Sequence, residues 1–145
     1  MVDAFDISVD ALDTAKQNSA LNNLTINFSA IDILNVPDLP TKWDIIVSNP
    51  PYITEREKEG MLANVLDHEP HLALFVPDND PLLFYRNIAL FAQKHLNANG
   101  KLYFEINREA GLPCIELLNT MGYRDVELRK DILRNDRMVK AVLSS

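Results

Sequence analysis

Hydrophobic and polar positions follow two periods along the chain, and each period predicts its own kind of element. Alternation with a period of two predicts strands at residues 2–7, 25–29, 101–106, 123–129 and 137–143. A short β-branched apolar run, Ile45 to Val47, predicts a further strand that is buried on both faces. Positions three to four residues apart predict helices from Ser8 to about Leu21, from Asp80 onward, and from Glu109 to Met121. Strands that alternate with helices predict an α/β fold.

Residues with special backbone preferences mark where these elements begin and end. Ser8 is a good N-cap, and Asp80-Pro81 places an N-cap before a proline at the first helical position. Gly122 ends the last helix, and the turn at 134–136 predicts an antiparallel C-terminal strand pair. Thr54 and Glu57 form a capping box for a short helix over about 55–64. The residues expected to face the core are Phe84, Ile88, Phe91 and Ala92 in the second long helix and Leu112, Ile115 and Leu118 in the last.

The strand at 45–48 runs directly into Asn49-Pro50-Pro51-Tyr52. Proline fixes its own φ and keeps the preceding residue out of the helical region, so Asn49 is held extended at the carboxyl end of a strand. Ligands of open α/β sheets bind at that edge. The Asn49 side-chain oxygen and the Pro50 carbonyl can each accept one N–H of a planar NH₂ group, and Tyr52 can stack on it. The alternative is a proline-rich turn with Tyr52 packed in the core.

These four residues resemble the signature of S-adenosylmethionine-dependent methyltransferases that act on planar nitrogens. The rest of the chain is similar to one such family, the protein-(glutamine-N5) methyltransferases that modify peptide-chain release factors. Further matches to this family are Glu69-Pro70, Gly122-Tyr123-Arg124-Asp125-Val126 and Asp136-Arg137. The resemblance implies that Asn49, Pro50, Pro51 and Tyr52 hold the substrate amide, with Asn49, Pro50 and Tyr52 in the catalytic role.

The resemblance also implies residues for the cofactor, S-adenosylmethionine. Asp6 would bind the ribose, Asp32 the adenine amine, the backbone N–H of Ile33 the adenine ring, and Asn49 would adjoin the cofactor as well as the substrate. Two alternatives stay open: Asp6 can instead cap the following helix together with Ser8, and Asp32 can be a solvated loop residue.

Several positions depart from the family pattern or have no assigned role. Asn107 and Asn135 stand where the family usually has glycine, and asparagine tolerates a left-handed backbone better than most residues. Glu105 can face the cleft or cap the next helix, and the choice stays open. The Glu69-Pro70 loop is implied to lie beside the substrate cleft. We expect no metal at His68 and His71, because Pro70 disfavours a regular helix between them and no third ligand is obvious.

Composition limits the remaining possibilities. A chain of 145 residues suffices for one domain, 1–145, with a modest core. The net charge of −7 disfavours nonspecific binding to DNA and is compatible with a protein substrate. Cys114 is the only cysteine, which fits the reducing cytoplasm, and no apolar run of about 18 residues predicts a membrane span. A ribosomal-protein glutamine or an adenine in DNA remains an alternative methyl acceptor.

The family pattern also implies a segment that this sequence does not match. Complete relatives have a first strand and a Gly-rich cofactor loop about twenty residues before the position of Asp6, together with an N-terminal recruiting domain. We therefore expect a Rossmann-like class I methyltransferase sheet that lacks its first, central strand. Two strands would lose a neighbour, so the chain would close the gap, exchange strands in a homo-oligomer, or be marginally stable. A catalytically inactive fragment or binding module is the corresponding functional alternative.

Overall fold

The computed structural model describes residues 1–54, 56 and 75–144. The chain divides into two compact units, Met1–Asp38 and Leu39–Ser145. The short helix predicted over 55–64 and the Glu69-Pro70 loop lie outside the described residues. No helix in the described ranges combines the length and the apolar character that a membrane crossing requires.

The first unit is a parallel strand pair with one helix between the strands. Strand β1 (Asp3–Asp6) pairs with β2 (Asn27–Ala30), and helix α1 (Val9–Leu21) connects them. The N-cap prediction is confirmed, because the Ser8 hydroxyl accepts a hydrogen bond from the Ala11 N–H at 3.2 Å. The helix ends at Leu21, as predicted, and is followed by an asparagine pair in which Asn23 takes a left-handed φ of 54°.

The second unit contains a mixed sheet flanked by two described helices. Its described strands are β3 (Trp43–Ser48), β4 (Ile53–Thr54), β5 (Phe75–Val76), β6 (Leu96–Glu105), β7 (Tyr123–Lys130) and β8 (Asp136–Leu143), and its described helices are α2 (Leu83–His95) and α3 (Gly111–Thr120). The larger sheet has the order β3-β6-β8-β7, while β4 pairs with β5. Strands β3 and β6 run parallel, and β8 runs antiparallel to both β6 and β7. The α/β class and the antiparallel C-terminal pair are therefore as predicted.

The two strands expected to lose a neighbour are those predicted at 2–7 and 45–48, which correspond to β1 and β3. Among the described strands, β1 pairs with β2 alone and β3 pairs with β6 alone. An unpaired strand edge presents backbone donors and acceptors to its surroundings. How these edges are closed, including by strand exchange between copies, stays a prediction.

The core lies in the second unit, between its sheet and helices α2 and α3. Helix α2 packs against β6, and α3 packs against β7 and β8. The fully buried Tyr85 ring meets Phe104 edge-on, with 5.3 Å between the ring centroids. The buried hydrophobic side chains of this unit are Val76, Tyr85, Ile88, Ala89, Phe91, Ala92, Leu96, Leu102, Phe104, Ile106, Cys114, Leu118, Tyr123, Val139, Ala141 and Val142.

Two burial predictions are wrong. Strand β3 is not buried on both faces, because Ile45 is 55% exposed and Val47 is 72% exposed. Among the described elements, β3 pairs with β6 alone, and helix α2 contacts β3 at Trp43, whose ring centroid lies 5.9 Å from that of Phe91. Leu112 was expected inward but is 75% exposed. In α3 the buried positions are Gly111, Cys114 and Leu118, and one residue of helix turns Leu112 about 100° away from that face.

The start of α2 also differs from its prediction. The helix begins at Leu83 rather than at Pro81, and its N-cap residue Leu82 makes no side-chain capping bond. Asp80 instead accepts hydrogen bonds from both terminal nitrogens of Arg86, each at 2.8 Å. The carboxylate also accepts a hydrogen bond from the Leu82 N–H, so it is shared between the turn before the helix and the Arg86 side chain.

Candidate active site

The Asn-Pro-Pro-Tyr segment begins directly after β3. Ser48, the last residue of β3, is in register with Phe104 of the parallel strand β6. The segment therefore lies at the carboxyl edge of two parallel strands, where the sequence placed it. Asn49 is exposed and Pro50 is buried, while Pro51 and Tyr52 are half-buried. An exposed amide beside a buried, rigid residue is accessible to a ligand and has a restricted backbone.

Tyr52 contacts the end of β6 at two points. Its hydroxyl donates to the Glu105 carboxylate, with 3.4 Å between Oη and Oε1. Its backbone carbonyl accepts from the Asn107 side-chain amide, also at 3.4 Å. Of the two roles left open for Glu105, this contact favours the one at the cleft, because the carboxylate reaches the Tyr52 hydroxyl.

The backbone of Asn107 is not left-handed, so that conformation does not explain the asparagine at this position. The described non-glycine residues with positive φ are Asn23, Asn99, Asp125 and Arg134. Asn107 instead acts through its side chain, whose Oδ1 accepts from the Glu109 N–H at 3.0 Å while its amide contacts Tyr52. Its own N–H donates to the Tyr85 hydroxyl at 3.3 Å.

Arg137 brings a positive charge to the same place. The first residues of β8 lie beside the last residues of β6, and Glu105 is in register with Met138. The Arg137 guanidinium donates to the Ile106 carbonyl at 3.3 Å, and its Nε lies 3.5 Å from Asp131 Oδ2. Both side chains of this ion pair are partly exposed.

These surroundings raise the pKa of the Tyr52 hydroxyl above its ordinary value. Burial is the largest cause, and the Glu105 charge acts in the same direction, while Arg137 opposes them. The hydroxyl therefore stays protonated at neutral pH and donates to Glu105. Burial likewise raises the pKa of Tyr85 and of the Cys114 thiol, the latter to about 12, so neither supplies an anionic group near neutral pH.

The residues predicted to bind the cofactor lie in the first unit. Asp6 ends β1 in register with Ala30 at the end of β2, and the Ile31 N–H donates to the Asp6 carbonyl at 3.0 Å. Asp32 follows two residues after β2, with Ile33 next to it. Asp6 and Asp32 therefore share the carboxyl edge of this strand pair.

Each of the two carboxylates also shapes its own loop. Asp6 Oδ1 accepts from the Ser8 N–H at 2.8 Å, and Asp32 Oδ1 accepts from the Leu34 N–H at 2.9 Å. The alternative interpretation of Asp6 is therefore partly realised, since it orders the start of α1. A carboxylate has two acceptor oxygens, so these bonds are compatible with a further contact to a ribose hydroxyl or an adenine amine.

The structure thus places the predicted residues in two separately described groups. Asn49, Pro50, Pro51 and Tyr52 share the second unit with Glu105, Asn107 and Arg137, whereas Asp6, Asp32 and Ile33 belong to the first. The sequence interpretation gave no role to Asn107 or Arg137. For Asn107 the signal in the sequence was the alternation along β6. Because residues 102, 104 and 106 are buried on one face, residues 105 and 107 lie on the other. His68 and His71 lie outside the described residues, which contain no cluster of three or more metal-ligating side chains.

Sequence comparison relates the chain to methyltransferases. Residues 1–74 match the model of the Methyltransferase small domain family. The chain is 51% identical over 137 residues to the release factor glutamine methyltransferase of Flavobacterium psychrophilum, covering 94% of this chain and 48% of that protein. It is 50% identical over 141 residues to that of Bacteroides thetaiotaomicron, covering 97% and 51%. The chain spans about half the length of these relatives.

Solved structures share the fold at low sequence identity. A methyltransferase from Pyrococcus furiosus has a TM-score of 0.70 and 17% identity, covering 99% of this chain and 63% of that one. The ribosomal protein L11 methylase from Lactobacillus delbrueckii subsp. bulgaricus has a TM-score of 0.60 and 23% identity, covering 99% and 56%. These likenesses confirm the class I methyltransferase fold that was predicted.

Proposed function

Because the chain belongs to the Methyltransferase small domain family, we propose that it carries part of the catalytic domain of an S-adenosylmethionine-dependent protein-(glutamine-N5) methyltransferase. The observation that carries the proposal is the Asn-Pro-Pro-Tyr segment at the carboxyl edge of β3 and β6, with Asn49 exposed and Tyr52 contacted by Glu105 and Asn107. The name shared by the two relatives described above supports it.

The acceptor chemistry follows from the properties of an amide. Its nitrogen is a poor nucleophile because the lone pair is delocalised into the carbonyl group. The Asn49 side-chain oxygen accepts one N–H of the glutamine amide and the Pro50 carbonyl accepts the other, which directs the lone pair toward the incoming methyl group. Tyr52 stacks on the amide plane. The nitrogen keeps one of its two protons and loses the other after transfer, so no strong base is needed.

The adenosine part of the cofactor fits the residues of the first unit. S-adenosylmethionine supplies an electrophilic methyl group on a sulfonium centre when it is bound. The carboxylates of Asp6 and Asp32 are matched to ribose hydroxyls and to the adenine amine, and both lie at one strand edge. The Ile33 N–H is matched to a ring nitrogen. A Gly-rich segment that approaches the methionine part would have to come from a longer protein or another chain.

The proposed substrate is the glutamine of the Gly-Gly-Gln tripeptide in a peptide-chain release factor. Release factors are named in the descriptions of both relatives. The net charge of −7 favours a protein over a bare phosphate backbone. The single cysteine, which is buried, is consistent with work in the reducing cytoplasm, where translation takes place.

The orienting role is tested by replacing Asn49 with alanine. Methyl transfer from radiolabelled S-adenosylmethionine to a release factor would be measured for the protein that contains this chain, beside Asn119→Ala, an exposed asparagine of α3, as the matched control. We expect Asn49→Ala to lower kcat by roughly 10²-fold or more, the size typical for loss of one oriented polar contact. The Kd of the cofactor should change much less. Equal losses of turnover and cofactor affinity would overturn the orienting role.

Calorimetry separates an active chain from an inactive fragment. S-adenosylmethionine would be titrated into the 145-residue chain and, in parallel, into a longer protein that includes an upstream Gly-rich loop. Binding only by the longer protein would support the residue assignments and identify this chain as an incomplete cofactor site. Micromolar binding by the chain alone would contradict the need for that loop.

A further inference from the structure

We propose that Glu105 and Asn107 are positioning residues that together fix Tyr52 at the substrate edge of the sheet. The inference rests on the proposed function, in which Tyr52 stacks on the amide. It assigns a role to two residues that the chemistry of the methyl acceptor does not itself require. The two contacts lie at opposite ends of the tyrosine, one at its hydroxyl and one at its backbone carbonyl.

Both residues face Tyr52 because of the period of the strand. Leu102, Phe104 and Ile106 are buried on one side of β6 and its continuation. Side chains of an extended chain alternate between faces, so Glu105 and Asn107 point to the other side. A single strand end therefore delivers both a carboxylate and an amide to the same residue.

Each of the two contacts is weak alone, and both together are needed to fix Tyr52. A donor–acceptor distance of 3.4 Å is beyond the usual range for strong hydrogen bonds. One such contact would leave the ring free to pivot about the other end of the residue. Contacts at both ends restrict the ring and the backbone together, which is the restriction that a stacking platform requires.

Asn107 is itself anchored to the core. Its side-chain oxygen accepts from the Glu109 N–H at 3.0 Å, and its backbone N–H donates to the Tyr85 hydroxyl at 3.3 Å. Tyr85 is fully buried and packs edge-on against Phe104. The amide that contacts Tyr52 is thus held by groups that cannot move without disturbing the core.

Asn107 is the informative residue, because its one side chain both donates to the Tyr52 carbonyl and accepts from the Glu109 N–H. Asn107→Gly removes the donor to Tyr52 and the acceptor for Glu109. Asn107→Asp keeps an acceptor for the Glu109 N–H but replaces the donor to the Tyr52 carbonyl with a carboxylate oxygen.

Glu105→Gln tests the other end of the tyrosine. The charged groups that act on the Tyr52 hydroxyl are Glu105 on β6 and Arg137 on β8. Removing the negative charge of Glu105 should lower the pKa of Tyr52 toward its ordinary value, because the phenolate is then less disfavoured. Glu116→Gln, an exposed position on α3, is the matched control.

The first readout is independent of catalysis. The 145-residue chain with ¹³C-labelled tyrosine would be titrated by NMR up to about pH 11, and the Tyr52 signals followed in each variant. We expect a lower Tyr52 pKa in Glu105→Gln, and broadened or shifted Tyr52 signals in both Asn107 variants. The Tyr123 signals and those of Glu116→Gln should not change.

The second readout is turnover in the protein that contains this chain, with a release factor as substrate. Glu105→Gln and Asn107→Asp should each lower kcat roughly tenfold with little change in cofactor Kd, as expected for a misplaced group. Altered Tyr52 signals with unaltered kcat would overturn the positioning role, and so would unaltered signals in all three variants. Absence of methyl transfer by the unmodified protein, with altered Tyr52 signals, would instead reject the proposed function. Should Asn107→Gly fail to fold, Asn107→Asp and Glu105→Gln still decide the matter.

Discussion

The first unit, Met1–Asp38, and the second, Leu39–Ser145, both form regular helices and strands but differ sharply in what they bury. Leu12 is the buried hydrophobic residue of the first unit, and its exposed hydrophobic residues are Met1, Val2, Phe5, Ile7, Val9, Leu21, Leu24 and Leu34. Among the described residues of the second unit, sixteen hydrophobic side chains are buried, from Val76 to Val142. Hydrogen-bonded local structure is therefore present in both units, whereas a core is present in one.

This difference shows that the local signals that define an element are distinct from the burial that stabilises it. Helix α1 is defined by local signals, namely the Ser8 cap and the asparagine pair at its end. Such signals contribute about 1 kcal/mol each, less than the conformational entropy that ordering a helix costs. Burial must supply the rest, at roughly 25 cal/mol per Å² of apolar surface. The residues proposed to bind adenosine thus lie in the unit that has little burial to stabilise it.

Hydrogen exchange gives the largest expected contrast between the two units. Amides of β6 and β8, which pair with each other inside the core, should exchange slowly. Amides of β1 and β2 should exchange faster by roughly three orders of magnitude, because their opening exposes little apolar surface. The measurement is native-state exchange of the chain followed by NMR at neutral pH. Equal protection in the two strand pairs would show that the first unit is stabilised by contacts other than its own core.

Replacing one buried side chain of each unit with alanine tests the same difference by mutation. Phe104→Ala should lower the free energy of unfolding by about 3–5 kcal/mol, since this ring is 2% exposed and packs against Tyr85. Leu12→Ala should lower it by about 2 kcal/mol at most, the low end for a buried leucine. Both variants would be unfolded in urea and followed by circular dichroism. A larger effect of Leu12→Ala would mean that the first unit contributes more to global stability than its burial indicates.

Particular residues show which features of the fold could be predicted from the sequence and which could not. Elements set by local chemistry were placed well, including α1 with its Ser8 cap and the antiparallel pair β7 and β8. Burial was predicted less well, because it depends on which neighbours are present. Ile45 and Val47 have the composition of a strand covered on both sides, but a composition does not say whether the covering elements exist. Asp80-Pro81 has the sequence of a helix start, yet the helix begins only at Leu83, and the Asp80 carboxylate bonds the Arg86 side chain as well as the Leu82 N–H.

The residues of the candidate site differ in the same way, because some are placed by local sequence and others by strand pairing. Asn49, Pro50, Pro51 and Tyr52 are adjacent in sequence, and their position follows from the strand before them. Asn107 and Arg137 reach the site through the pairing of β6 with β3 and β8, which a single sequence does not specify. Their partners could be identified only once the register of the sheet was known.

Substitution of the exposed side of β3 should have a small effect. Val47 is 72% exposed, so Val47→Thr should change the free energy of unfolding by no more than about 0.5 kcal/mol, as is usual for surface positions. A strand buried on both faces would instead lose about 1–3 kcal/mol through a buried hydroxyl without a partner. Urea unfolding distinguishes the two values, with Val139→Thr in the buried part of β8 as the control that should lose the larger amount. A large loss for Val47→Thr would mean that this face is covered in solution.

Acid should lower the stability of the second unit slightly, which would reduce the difference in stability between the two units. The pKa of Asp80 is lowered mainly by its hydrogen bonds from Arg86, and that of Glu127 mainly by its hydrogen bond from Lys140. A carboxyl group whose pKa is lower in the folded than in the unfolded state stabilises the fold above its unfolded pKa, near 4. That contribution is lost as the pH falls from there toward the folded pKa. Because both ion pairs are partly or fully exposed, the loss should be the smallest of these effects and should shrink in salt.

Asp80→Asn isolates one of these pairs. The variant should unfold more easily than the unmodified chain at pH 7 and nearly equally at pH 3, because acid has by then protonated much of Asp80 in the unfolded state. Asp38→Asn, an exposed residue at the end of the first unit, serves as the control. Unfolding free energies from urea titrations at both pH values give the comparison. If the Asp80→Asn difference were the same at pH 3 as at pH 7, the Asp80–Arg86 pair would contribute packing rather than charge, and the second unit would owe its stability to its core alone.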